Sequence, residues 1–161
     1  FRQDPDIIMI GEIRDAKTAE LAARAALTGH LVFSTLHTDN AVESVMRLED
    51  LGVPPYLISA VLRGVISQRL MRRVCTECGG TGCEACAHTG GKGRIAVAEI
   101  FPIDEPFAEA VYARASPQKL YRQRKQKGLP SMYEDACAKM RQGIITPQEI
   151  ARVLGAPPVE A

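Results

Sequence analysis

Ile7-Ile-Met-Ile-Gly-Glu-Ile-Arg-Asp15 is an apolar run that breaks at a glycine and ends among charged side chains. Four apolar residues in succession, without alternation, are what a strand of a parallel sheet shows when both of its faces are covered. Asp4-Pro5-Asp6 separates this strand from anything helical before it, because the residue preceding a proline avoids the helical region. On its other side Asp15 is placed to cap an Ala-rich helix over Ala16–Leu27, which Thr28-Gly29 closes. A second apolar strand over 31–36 ends at His37-Thr-Asp-Asn40. From Ala41 the residues Val42, Val45, Met46, Leu48 and Leu51 form a helical stripe, stopped by Gly52 and Pro54-Pro55. Strand, polar loop and helix, twice over, predict an α/β fold with a doubly wound sheet.

Further along, the pattern predicts a helix over 56–64 and two strands, 65–74 and 94–101. Between these strands lies Cys75-Thr-Glu-Cys78-Gly-Gly-Thr-Gly-Cys83-Glu-Ala-Cys86. Two Cys-x-x-Cys turns folded on one another can aim four thiolates at one point, the tetrahedron that a structural zinc prefers, and the intervening glycines permit so tight a reversal. A pair of disulfides or redox thiols is the other chemistry available to four cysteines, but nothing else in the sequence looks secreted. A centre with four sulfur ligands is closed, so its role is structural and any catalysis lies elsewhere. His88 could enter that centre, and Cys137, in a helical pattern, reads as a buried thiol.

After Pro102 the composition turns helical. Expected are helices over 104–113, from Pro117 behind the cap Ser116 to Gly128, from Ser131, and behind Thr146-Pro-Gln-Glu149, which reads as a capping box with proline at the first helical position; 156–161 reads as a frayed tail. The expected division is therefore an α/β core (1–74), a zinc-stapled hairpin (75–94), and a final strand with a helical subdomain (95–161). With 161 residues, 46% apolar, the chain can bury a proper core, and its net charge of +1 gives no general argument for nucleic acid or an anionic membrane as partner. No apolar run approaches the roughly 20 residues that span a bilayer, and the cysteines imply a reducing compartment. The chain opens at Phe1 without a methionine, which suggests a piece of a longer polypeptide.

Ligands of doubly wound sheets bind at the carboxyl ends of the strands. Those ends carry Glu12, Arg14 and Asp15 after the first strand and His37, Thr38 and Asp39 after the second. A carboxylate fixed at the end of a rigid strand can hold the waters of a nucleotide's Mg²⁺ or orient an attacking water, although acids end many strands for solubility alone. His30 and His37 bracket the second strand, too far apart to share a metal if the interval is extended. Arg69, Arg72 and Arg73 could reach a phosphate, for example on a neighbouring subunit, or form a solvated strand face; Arg122-Gln-Arg-Lys-Gln-Lys127 reads as the wet side of a helix.

The order of these motifs resembles the type II secretion and type IV pilus assembly ATPases. Phe1 to Asp15 is similar to that family's Walker B segment, Leu27 to Thr38 to its His box, and Gln68-Arg-Leu70, the tetracysteine element and Gly143 to Val153 follow in the family's order. The resemblance implies the C-terminal half of a RecA-like P-loop ATPase core. In a cytoplasmic homo-hexamer it would hydrolyse ATP with Mg²⁺ against inner-membrane secretion or pilus platform proteins, without nucleic acid. It further implies Glu12 and His37 as catalytic, Arg14, Asp15, His30 and Arg69 as nucleotide-binding or interface residues, and Cys75, Cys78, Cys83 and Cys86 as zinc ligands. Most of the family has a longer insertion between the two Cys-x-x-Cys turns. No Gly-x-x-x-x-Gly-Lys-Ser/Thr loop occurs in the chain, so this piece alone is expected to be inactive. Two alternatives are a pilus retraction ATPase, which is expected to lack the tetracysteine element, and a zinc-stapled chaperone or binding module, since Cys75 to Gly82 also fits one unit of the DnaJ-type co-chaperones.

Overall fold

The structure is a computed structural model and describes residues 5–156. In chain order it contains β1 (Ile7–Ile10), α1 (Ala16–Leu27), β2 (Leu31–Ser34), α2 (Ala41–Asp50), α3 (Pro55–Val61), β3 (Gly64–Val74), β4 (Gly91–Pro102), α4 (Glu105–Tyr112), α5 (Pro117–Gln126), α6 (Met132–Arg141) and α7 (Pro147–Leu154). The expected start of the chain at Phe1 and most of the expected tail lie outside the described residues. The described chain forms two compact units: one runs up to Val65 and resumes over Ile100–Gly128, and the other comprises Ile66–Glu99 and the chain from Leu129 onward. The boundaries at 65/66 and 99/100 fall inside β3 and β4 and the third, at 128/129, between α5 and α6, so these units do not follow the divisions at 74/75 and 94/95 read from the sequence.

In the first unit β1 and β2 pair in parallel, Ile7 opposite Leu31 and Ile10 opposite Ser34, with α1 as the crossover. This is the α/β unit expected. Asp15 caps α1, and its alanines Ala19, Ala22, Ala23 and Ala25 are buried. Their small side chains allow the helix to approach its neighbours closely, and α1 packs on β2 and α3. β2 is shorter than the expected 31–36, because Thr35 turns its hydroxyl to the carbonyl of Gly11 at 2.7 Å. The apolar runs are also not covered on both faces: within this chain Ile7, Met9, Leu31 and Phe33, which share one face by register, are 61%, 79%, 46% and 55% exposed.

The helix expected over 56–64 ends at Val61. Leu62 is already extended, and the carbonyl of Arg63 accepts from the N–H of Ile103, so strand pairing takes this segment over. The core of the unit is made by Ile58 from α3, Val42 and Val45 from α2, Phe107 and Val111 from α4 and Leu120 from α5, all at most 2% exposed. Phe101 and Phe107 stack with centroids 4.4 Å apart and planes inclined at 60°, a favourable tilted geometry.

In the second unit β3 and β4 form a hairpin sheet. Met71 and Val97 face Met132, Ala136, Ile145 and Ile150, and Cys137 packs half-buried on the same cluster rather than inside it. Side chains of the helices also satisfy backbone groups of the hairpin: Glu149 of α7 accepts from the N–H of Arg72 at 2.7 Å, and Asp135 of α6 accepts from the N–H of Ala98 at 2.8 Å. Each carboxylate is ion-paired on its own helix, with Arg152 and Lys139. An unpaired strand edge invites further pairing, and these contacts close it locally. The capping box expected at α7 is consequently half made. Thr146 accepts from the N–H of Glu149 at 3.2 Å, but the Glu149 carboxylate is spent on Arg72 and Arg152 instead of returning to the cap.

Candidate functional site

Two constellations carry the chemistry, one in each unit. In the first unit the loops leaving β1 and β2 are laced together: the N–H of Ile13 donates to the carbonyl of Thr35 at 3.0 Å, and the hydroxyl of Thr35 donates to Gly11. Glu12 lies between these two tethers, fixed at the carboxyl end of β1 as the sequence predicts. Its carboxylate meets Arg14 Nη2 at 2.6 Å and His37 Nε2 at 3.1 Å. The Arg14 guanidinium bonded to it, helped by His37, holds its pKa below the ordinary glutamate value despite some desolvation, so it is ionised at neutral pH. His37 is 82% exposed and can turn toward solvent or a ligand, whereas the Glu12 side chain is 33% exposed.

The remaining residues of the sequence-derived set are not gathered here. Asp15 gives one oxygen to the N–H of Thr18 at 2.8 Å and the other to its hydroxyl at 3.0 Å, and these bonds hold its pKa low. His30 Nδ1 lies 3.0 Å from the carbonyl of Ala25 and 3.2 Å from the Thr28 hydroxyl. The two therefore occupy the opposite ends of α1. Arg69 donates from Nη1 to the carbonyl of its neighbour Gln68. A wide-open cavity of about 280 Å³ beside His37 is lined by Asp39, Glu43 and Asp50 with Arg47 as its cation. That acidic lining would repel a phosphate, so we do not read the cavity as a phosphate cradle. α2 begins with a cap that the sequence reading missed, for which Asn40-Ala-Val-Glu43 was the signal: Asn40 accepts from the N–H of Glu43, whose carboxylate binds the Asn40 amide and the N–H of Asp39.

In the second unit the four Sγ atoms of Cys75, Cys78, Cys83 and Cys86 lie within 4.8 Å of one another. The pairs Cys75–Cys83, Cys78–Cys86 and Cys83–Cys86 are 3.9, 3.8 and 3.8 Å apart. Ligands about 2.3 Å from a tetrahedral zinc stand about 3.8 Å from each other, whereas a disulfide needs about 2.05 Å. The group can thus hold a metal ion, and its cysteines are free thiols. Burial pushes the Cys78 thiol up, but the N–H groups of Gly82 and Gly80 outweigh it and bring it down to about 6, while burial pushes Cys83 up to about 11. Four adjacent thiols cannot all ionise unaided, and a bound dication removes that conflict. Two glycines are required by contact: a Cβ on Gly90 would lie 2.4 Å from the carbonyl oxygen of Gly80, and one on Gly82 2.9 Å from that of His88. His88 is exposed and stands outside the cysteine group, its N–H given to the Cys83 carbonyl.

The family model described as "Type II/IV secretion system protein" matches residues 1–152. The chain belongs to the type II/IV secretion system protein family. Among curated relatives, the type II secretion system protein HxcR of Pseudomonas aeruginosa is 48% identical over 95% of this chain and 34% of its own length. The type IV pilus assembly ATPase PilB of Thermus thermophilus is 43% identical over 93% of this chain and 20% of its own. The alignment to PilB runs over 177 positions, longer than the chain itself, so PilB carries residues with no counterpart here. Among solved structures, the pilus retraction motor PilT with bound ADP superposes with a TM-score of 0.73 at 30% identity, covering 97% of this chain and 41% of PilT. The α/β fold is therefore that of a fragment of this family's ATPase core, and the chain spans about a third or less of the length of these two curated relatives. Among the described residues no helix is long and apolar enough to cross a membrane.

Proposed function

We propose that this chain is the C-terminal half of the RecA-like motor domain of a hexameric ATPase that powers type II secretion or type IV pilus assembly. The observation that carries the reading is the Glu12 carboxylate, kept ionised at the carboxyl end of β1 and bonded to His37 from the end of β2. With Mg²⁺ and ATP bound, Glu12 would accept hydrogen bonds from the metal's waters or would orient the attacking water, in the latter case accepting that water's proton. Arg14 keeps Glu12 charged and oriented. His37, exposed beside it, reaches the terminal phosphate, and the phosphate-cradling loop and its lysine come from the remainder of the polypeptide. Asp15 and His30 support this site by securing the two ends of α1, and Arg69 serves a subunit interface.

Cys75, Cys78, Cys83 and Cys86 hold a structural zinc that keeps the tip of the β3–β4 hairpin folded. The motor works in the cytoplasm, attached to the inner membrane through its platform proteins and without contact to nucleic acid. Pilus retraction is the second reading, favoured by the likeness to PilT and opposed by the tetracysteine group. The test is ATP turnover by the full-length polypeptide and by this chain alone. Turnover by the longer protein and none by the chain is expected. Turnover by the isolated chain, or none by the full-length protein in its assembled state, would overturn the reading.

A further inference from the structure

The cysteine group carries a charge problem that its ligands do not solve. Four thiolates around a dication leave two net negative charges, and each Cys-x-x-Cys turn adds an acid of its own, Glu77 and Glu84. A buried or half-buried excess of negative charge weakens the hold on every thiolate, because each must ionise beside the others. The fold brings the Lys92 ammonium to the turns. Lys92, at the start of β4, places Nζ 2.9 Å from the Glu77 carboxylate, between Cys75 and Cys78 in sequence. Its backbone is anchored nearby, where the N–H of Cys75 donates to the carbonyl of Gly90 at 2.9 Å. The salt bridge fixes the Lys92 ammonium against the Cys75–Cys78 turn, and the Glu77 carboxylate holds its pKa above the ordinary lysine value, so a full positive charge stands on the turn that carries two of the four ligands.

We propose that Lys92 is the counter-ion of the four-cysteine centre: a positioning residue, not a ligand, whose positive charge sets how tightly and for how long the metal is held. Glu77 aims the ammonium and at the same time cancels part of its field. The inference rests on the zinc reading of the four cysteines and adds a role for a residue outside the ligand set. It also explains why a lysine fits here. A compact ammonium on a flexible stem can follow the charge as metal enters, without the coordinating chemistry of a histidine or a carboxylate.

The experiment is zinc transfer from the full chain to a chromophoric chelator, measured as affinity and as release rate at low and high salt. Wild type is expected to hold one zinc. Lys92→Gln is expected to bind roughly three- to tenfold more weakly and release faster, with the difference shrinking at high salt, because both groups are half exposed and screened. Lys92→Arg is expected to restore most of the affinity, and Glu77→Gln to hold zinc as well as wild type or better. Equal weakening by Glu77→Gln and Lys92→Gln would mean that the pair is only a tether and would overturn the counter-ion role, as would unchanged affinity of Lys92→Gln at low salt. A wild-type chain that binds no zinc would instead refute the metal reading itself.

Discussion

Glu149→Gln removes one negative charge from a side chain that is only 9% exposed and serves three partners: the N–H of Arg72 at 2.7 Å and two guanidinium nitrogens of Arg152 at 2.8 and 2.6 Å. The Arg152 guanidinium, with the Arg72 N–H, outweighs desolvation and brings the carboxyl from an ordinary 4.5 down to about 2. The full shift corresponds to about 3 kcal/mol. Arg152 is 55% exposed, so solvent screening reduces the usable part to about 1–2 kcal/mol. The native pKa lies below the unfolded one, so this stabilisation is whole above pH 4.5 and drains away as pH falls toward 2. Urea unfolding of wild type and variant from pH 7 to pH 2.5 reads the gap between them, expected at about 1–2 kcal/mol near neutrality and closing below pH 4.5. Acid also frees a thiolate-bound metal, but it does so in both chains. Glu149→Ala, which additionally orphans the Arg72 N–H, is expected to cost about 1–3 kcal/mol more, because glutamine can still accept from that group. A gap that stays constant from pH 7 to pH 2.5, or equal stability of all three chains, would refute the role assigned to this carboxylate.

Chelating the metal from the cysteine group is expected to release amide protection over residues 75–94 while leaving Ile7 to Leu36 protected, since only the hairpin tip is organised around the ion; hydrogen exchange with and without chelator reads it. Gly90→Ala is expected to weaken metal retention far more than Gly93→Ala. Both glycines have positive φ, 73° and 77°, but only at Gly90 does the added Cβ strike backbone, and competition with a chelator compares them. Asp15→Ala removes both bonds to Thr18 and is expected to lower the midpoint of thermal or urea unfolding, with Asp15→Asn recovering most of the loss.

The local signals were legible because each is a short-range rule. Asp15, Ser116, Ser131 and Thr146 all cap the helices assigned to them, and the parallel strand–helix–strand unit forms where anticipated, its second strand ending two residues early. The Cys-x-x-Cys spacing likewise suffices to bring the four sulfurs together, since the turns are tight and the glycines between them tolerate backbone contact. Glu12 and His37 are 25 positions apart, yet both follow strands that pair in register, so their meeting follows once the strands are recognised. What the sequence hid depends on distant partners. Glu149 reads as a capping-box residue because nothing local announces the N–H of Arg72, 77 positions away, and nothing near Asp135 announces the N–H of Ala98, 37 positions away. The apolar runs of β1 and β2 suggested burial that this chain does not itself supply, because coverage of a sheet face is decided by what packs on it and not by the strand's own composition.

The most direct test is ATP turnover of Glu12→Gln in the full-length polypeptide, with nucleotide binding measured alongside. Glutamine keeps the shape of the side chain but can neither accept a proton nor carry the charge that Arg14 holds in place. Binding close to wild type with turnover reduced at least a hundredfold is expected for a carboxylate that orients water and metal in the transition state. Turnover within a few-fold of wild type would contradict the assignment of the β1 terminus as the catalytic end of the motor.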